Sequence, residues 1–143
     1  MAVNRKYNIA LLQAQMAAVV TAVGNAALLR IYDGSQPADP SVAISGQTLC
    51  RELVCGTPFA PASSAARPSV LTVNDPTTNS NATGGTPTWW RVCAAGTGAG
   101  AAGIIDGNCA QSGTPGTDAD MICGVITSGQ PVDVTGWTIT SGT

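Results

Sequence analysis

The chain contains no histidine, one lysine (Lys6) and one phenylalanine (Phe59), and only 10% of its 143 residues are charged. Each shortage excludes something. Without histidine, the side chain that exchanges protons near neutral pH is missing. No serine, threonine or cysteine then has an imidazole to activate it. A zinc site would also lack its usual nitrogen ligand. Lys6 lies near the terminus beside Arg5, which is a poor setting for a desolvated, nucleophilic amine. The expectation is a chain that is not an enzyme, with no catalytic residues, no bound metal and no cofactor.

The charges that do occur are scattered nearly one at a time, giving a net charge of −2 and an isoelectric point near 4.6. Only Arg5 and Lys6 are adjacent. Binding a phosphate backbone calls for a clustered basic patch, so nucleic acid is not an expected partner. The longest apolar run, Ile9 to Val23, is interrupted by Gln13, Gln15 and Thr21 and is too short and polar to span a bilayer. Those interruptions also weaken its superficial likeness to a secretory leader. A chain made and kept in a cytoplasm is expected, with no membrane partner.

What is present is mostly small: Ala, Gly, Ser and Thr dominate. The length suits one domain, large enough to bury roughly two thirds of its unfolded surface without a metal or disulfide staple. Residues 1–24 read as an N-terminal helix or arm. Ile9, Leu12, Met16, Val19, Val20 and Val23 recur at helical spacing, Asn4 could cap the start, and Gly24-Asn25 would end it. Because the other face is rich in Ala and Gln, this helix should be largely covered by its own sheet or by a neighbour.

From residue 25 to 143 the helical period is gone. Short strands are expected at 28–32, 47–54, 69–73, 86–93, 103–106, 121–127 and 132–140, separated by Gly, Pro and Asn turns. Three prolines between residues 56 and 68 mark an irregular connection or edge. The fold class expected is mainly β: an antiparallel β-sandwich, jelly-roll-like, with one short N-terminal helix. No stretch between strands is long enough for a crossover helix, which disfavours a parallel sheet.

Several motifs carry less than they suggest. Residues 98–103 spell a dinucleotide fingerprint, but no helix can follow before Asp106-Gly107, so a flexible hairpin loop is the better reading. Asp106, Asp118 and Asp120 lack the further oxygen ligands of a calcium loop and read as solvated. Asn81-Ala82-Thr83 matches a glycosylation acceptor that would be idle in a cytoplasmic product. Trp89 and Trp90, adjacent on a strand, should face opposite ways, one into the core and one outward. The outer ring would either meet a partner or be covered by a loop or the helix. The cysteines, Cys50, Cys55, Cys93, Cys109 and Cys123, are odd in number and have no zinc-knuckle or redox spacing. Buried free thiols are expected, with Cys50 and Cys55 on opposite strand faces. The alternative is a covalent lock formed late, after release into an oxidising medium.

The order of segments carries a resemblance. A short helix precedes Ile31-Tyr32-Asp33-Gly34-Ser35-Gln36-Pro37-Ala38-Asp39-Pro40. Trp89-Trp90-Arg91-Val92 and Ile104-Ile105-Asp106-Gly107 follow, and Val132-Asp133-Val134-Thr135-Gly136-Trp137-Thr138-Ile139-Thr140 closes the chain. This pattern resembles the cement, or decoration, proteins on the heads of tailed bacteriophages. The cysteines and the Pro-rich stretch after Cys55 depart from it. The resemblance implies a jelly-roll-like sandwich without catalysis, bound in many copies to the major capsid protein, as a homodimer. It also implies a place on the capsid surface of a virion assembled in the host cytoplasm. Candidate partner contacts are Arg5, Lys6, Leu12, Met16, Trp89 and Trp90. Two alternatives stand beside it: another virion part, at the head–tail joint or in the tail, or a carbohydrate-binding β-sandwich using an outward tryptophan.

Overall fold

The computed structural model describes residues 6–63, 69–78, 83–111 and 121–140. Among the described residues a single helix, α1 (Ile9–Val23), precedes eight strands. They are β1 (Leu28–Asp33), β2 (Thr48–Val54), β3 (Val70–Thr72), β4 (Thr77–Thr78), β5 (Trp89–Cys93), β6 (Ile105–Ala110), β7 (Met121–Ile122) and β8 (Thr138–Thr140). Six of them form one curled sheet in the order β4-β2-β1-β5-β6-β7, and β3 and β8 form a separate antiparallel ribbon.

The chain is therefore mainly β with one helix, but the sheet is mixed. All its pairings are antiparallel except β6 with β7, which runs parallel, with Cys109 opposite Met121 and Ala110 opposite Ile122. The wholly antiparallel expectation fails at this edge, where no tight hairpin joins the two strands.

The helix starts four residues later than the sequence suggested. Asn8 is its cap, its side-chain oxygen accepting from the Ala10 amide at 2.8 Å. Asn4 and Arg5 lie outside the described residues. Gly24 ends the helix at φ 73°, a left-handed conformation that glycine reaches without a Cβ clash. The apolar stripe behaves as its spacing requires: Leu12, Met16 and Val23 are buried, and Val19 and Val20 pack partly against the core. No helix among the described residues is long and apolar enough to cross a membrane.

The inner face of the sheet makes the core. Leu29, Ile31, Leu53, Trp90 and Val92 meet Met16 and Val23 from α1, Leu71 from β3, and Phe59 and Trp137 from the connections. The aromatic rings are edge-to-face: Trp90 and Trp137 at 5.1 Å, Phe59 and Trp137 at 5.8 Å. A bulge explains one departure from expectation. Ile31 pairs with Arg51 but Tyr32 with Leu49, which leaves Cys50 as the extra residue. The extra residue resets the alternation, so Cys50 and Cys55 both belong to the inner core.

Two expected strands are cut short. Of 121–127 only Met121–Ile122 pairs as a strand, and of 132–140 only Thr138–Thr140. Val134 and Trp137 are both buried despite their opposite parity, and Gly136 between them takes φ 68°. The chain turns there and does not run straight. Conversely, Asp106-Gly107 does not end a strand. It sits inside β6.

Candidate functional site

The outer face of the same sheet carries the chain's most unusual chemistry. Glu52 on β2 stands directly across from Arg30 on β1, Arg30 across from Arg91 on β5, and Arg91 across from Asp106 on β6. Four charges thus form one line across four neighbouring strands, in the order minus, plus, plus, minus. All four side chains are at most 6% exposed. Arg30 Nε binds Glu52 Oε2 at 2.7 Å. Arg91 grips Asp106 with two parallel bonds, Nε to Oδ1 and Nη2 to Oδ2, both 2.7 Å.

Two like charges side by side in the interior would be costly if left alone. Each guanidinium instead ends on a carboxylate and on backbone carbonyls. Arg30 donates through Nη1 to Gly98 O at 2.7 Å and through Nη2 to Thr97 O. Arg91 donates through Nη1 to Val42 O at 2.7 Å and to Ala101 O at 3.3 Å. Tyr32 Oη donates to Ala99 O at 2.7 Å. The Tyr32 ring stacks on Trp89 at 4.6 Å, and the Arg91 guanidinium lies 5.2 Å from the Trp89 ring centre.

These bonds assign a role to the Gly-rich segment. Its carbonyl oxygens point inward to two arginines and a tyrosine, the opposite of a phosphate-binding loop, which points amide hydrogens outward. Gly103 is required by close approach, since a Cβ there would lie 2.5 Å from Arg91 Cγ. A second loop is held down at the same place. Gly103 N donates to Pro40 O at 2.7 Å and Ile44 N to Gly100 O at 3.0 Å, joining residues 39–44 to 98–103.

Electrostatics follow from burial and pairing. Burial works against the Arg30 charge, but the hydrogen bond it donates to Glu52 and the charge of that carboxylate leave its pKa raised. For Arg91 the Asp106 hydrogen bond dominates and raises it as well. Burial pushes the Tyr32 phenol up to about 12. It also raises the Cys93 thiol, although Arg30 and Arg91 pull the other way. Cys93 is therefore held as a protonated thiol and is no reactive nucleophile.

Several candidate contacts change status. Trp89 and Trp90 do face opposite ways, yet both are covered, at 1% and 3% exposure. No outward tryptophan exists, because the Tyr32 ring and the Arg91 guanidinium pack on Trp89 while Trp90 lies in the core. Leu12 and Met16 are buried on the inner side of α1 and are not surface contacts. Lys6 is exposed ahead of α1. Asp106, expected in solvent, belongs to the arginine line. Asp118, Asp120 and the Asn81-Ala82 part of the glycosylation pattern lie outside the described residues. One disulfide, Cys109–Cys123, joins β6 to the end of β7, while Cys50, Cys55 and Cys93 are buried free thiols. Arg51, which shares a face with Ile31 by register, is buried and its Nε has no hydrogen-bond partner.

The charge line had a trace in the sequence. Single arginines sit centrally in the most apolar strands (Leu28-Leu29-Arg30-Ile31-Tyr32 and Trp89-Trp90-Arg91-Val92-Cys93), where a solvated charge has no place. Among the described residues, no group of three or more His, Cys, Asp or Glu side chains could hold a metal ion. What the arrangement does is mechanical. It fixes two loops, rich in exposed small and uncharged residues from Ser41 to Gly46 and from Ala94 to Ala102, on a rigid sheet. Comparison with protein-family models, with curated proteins and with solved structures finds no match to this chain.

Proposed function

We propose that the chain is a structural virion protein that binds the outside of a phage head and bridges major capsid protein subunits. The observation that carries this reading is the loop platform above the arginine line. Five charged residues, Arg30, Arg51, Glu52, Arg91 and Asp106, are spent inside the fold, so the surface is left even poorer in charge than the composition implies. A surface of this kind recognises by shape, and holding its loops in place beforehand reduces the ordering cost of binding. Repetition over a lattice then turns a weak single contact into a durable one.

The platform includes an exposed apolar side chain, Val42, at 48% exposure. The jelly-roll-like sandwich belongs to the same proposal: β3, β8 and α1 supply a second layer whose Leu71, Ile139 and Met16 pack on the inner core. The sugar-binding alternative relied on an outward tryptophan, and burial of both rings removes its basis.

The test is copy number. In purified particles the chain should occur in numbers comparable to the major capsid protein, and particles depleted of it should rupture at lower temperature or under milder osmotic shock. A copy number near a single ring moves the reading to the head–tail joint or tail. Unchanged particle stability after depletion ends the cement reading. Val42→Glu, an exposed substitution, should weaken attachment to depleted heads without changing the thermal midpoint of the free protein.

A further inference from the structure

Beside β7 lies a cavity of about 330 Å³, lined by Ile31 on the sheet and by a wall drawn from Met121 to Val134. Almost all of that wall belongs to a segment that packs Met121, Cys123, Ile126 and Val134 on the core but has short backbone pairings to the sheet. β7 pairs with β6 over two residues only. Cys123 N donates to Ala110 O at 2.8 Å, and Gly85 and Ile126 exchange a pair of backbone bonds at 2.8 and 2.9 Å. Further along, Val134 is buried in the core, and Trp137 anchors the end, its carbonyl accepting from Val73 N at 2.9 Å and its ring packing on Phe59 and Trp90. The only covalent tie is the Cys109–Cys123 bridge, which closes a sequence separation of 14 residues.

We infer that the Cys109–Cys123 disulfide is a redox clasp: oxidised, it holds the Met121–Val134 wall against β6 as one side of the cavity, and reduced, it releases that wall while the central strands stay folded. Met121, Cys123, Ile126 and Val134 pack on the core, but the backbone pairings to β6 and Gly85 are short, so the covalent bond tips the balance between a docked and a released wall. The inference is independent of the proposed virion role.

The chemistry is thiol–disulfide exchange with an external dithiol. Cys109 is half-buried and Cys123 only 6% exposed, which makes the Cys109 sulfur the accessible one. A thiolate of the reagent attacks Cys109 Sγ, the S–S bond breaks, and Cys123 leaves as a thiolate that takes up a proton. The reagent's second thiolate then displaces Cys109, which is protonated in turn. One protein disulfide becomes two thiols, and the dithiol becomes its cyclic disulfide. The other cysteines stay out of the exchange. Cys50, Cys55 and Cys93 are buried at 0–3% exposure and their thiols are held protonated.

Hydrogen exchange by mass spectrometry on the full chain tests this, comparing untreated, dithiothreitol-reduced and reoxidised protein. Alkylation counts the opened sulfurs. Amides in 121–126 should exchange about tenfold faster or more after reduction, with β1 and β5 unchanged, and reoxidation should restore them. The double variant Cys109→Ser, Cys123→Ser should exchange fast in this segment with or without reductant. If two new thiols appear with no change in 121–126, the clasp is refuted. It is equally refuted if all segments accelerate together, because the bond is then a staple for the whole fold. Those reduced and reoxidised wild-type samples decide the matter even if the double variant does not fold.

Discussion

The two faces of one sheet are built on opposite principles, from alternate residues of the same strands. On β1, Leu29 and Ile31 point into an aliphatic and aromatic core, while Arg30 and Tyr32 point to a layer of ion pairs under two loops. On β5, Trp90 and Val92 face the first, and Trp89 and Arg91 the second. The inner face stabilises by removing apolar surface from water, which is non-directional. The outer face gains little net stability from its charges, because desolvating them offsets most of their attraction. What it gains is direction: each guanidinium binds particular carbonyls, so each loop has one position. Stability and loop geometry are thus supplied by different sides of the same five or six residues per strand.

The largest effect should come from breaking the outer face unevenly. Asp106→Leu leaves the Arg91 charge buried without its carboxylate and should cost about 3–5 kcal/mol in urea unfolding. Replacing both partners, Arg91→Met with Asp106→Leu, should recover most of that loss. The double variant should nevertheless show faster hydrogen exchange across residues 98–104, because the carbonyls of Val42 and Ala101 lose their donor. If the double variant is as unstable as the single one, the pair is a net stabiliser and the contrast between faces collapses.

On the inner face no such rescue exists. Leu53→Ala, at a position with no exposed surface, should lower stability by about 2–4 kcal/mol and leave loop exchange rates in proportion to the global loss. A loop that loosens selectively in this variant would show that the core, too, sets loop geometry.

Alkaline pH probes both faces at once. Burial lifts Tyr32 on the outer face from 10.0 to about 12 and Cys55 on the inner face from 9.0 to about 12. The folded chain therefore holds these protons more tightly than the unfolded chain does. Their contribution is complete below about pH 9 and is lost as pH rises toward 12, each group costing about 1.4 kcal/mol per pH unit inside its own window. Urea midpoints measured across that range should fall first from the buried thiols, and Cys55→Ala should make that first fall shallower. Tyr32→Phe should remove the later part, above pH 10.

Local signals were legible wherever the chemistry was local. The α1 stripe of Leu12, Met16 and Val23, the stop at Gly24, and the strands around Leu28–Asp33 and Trp89–Cys93 follow from period and turn residues alone. The opposite facing of Trp89 and Trp90 is equally a matter of alternation. Less was legible at β6 and β7. Asp106-Gly107 has the composition of a turn, yet register against Arg91 and Trp90 keeps it in a strand. The short β7 is selected by a parallel partner and a disulfide, neither of which leaves a periodic trace.

The sequence by itself determined the class: one amphipathic helix, many short strands, and too few ionisable groups to leave any to spare. Which charges would find one another was decided only by the tertiary structure. Glu52, Arg30, Arg91 and Asp106 are spread from position 30 to position 106, and nothing in their spacing marks them as partners. Antiparallel register brings them onto one line, and burial then forces each to bond or be expelled. Alternation is written residue by residue, whereas register is a property of pairs of strands, and so it exists only once the sheet has formed.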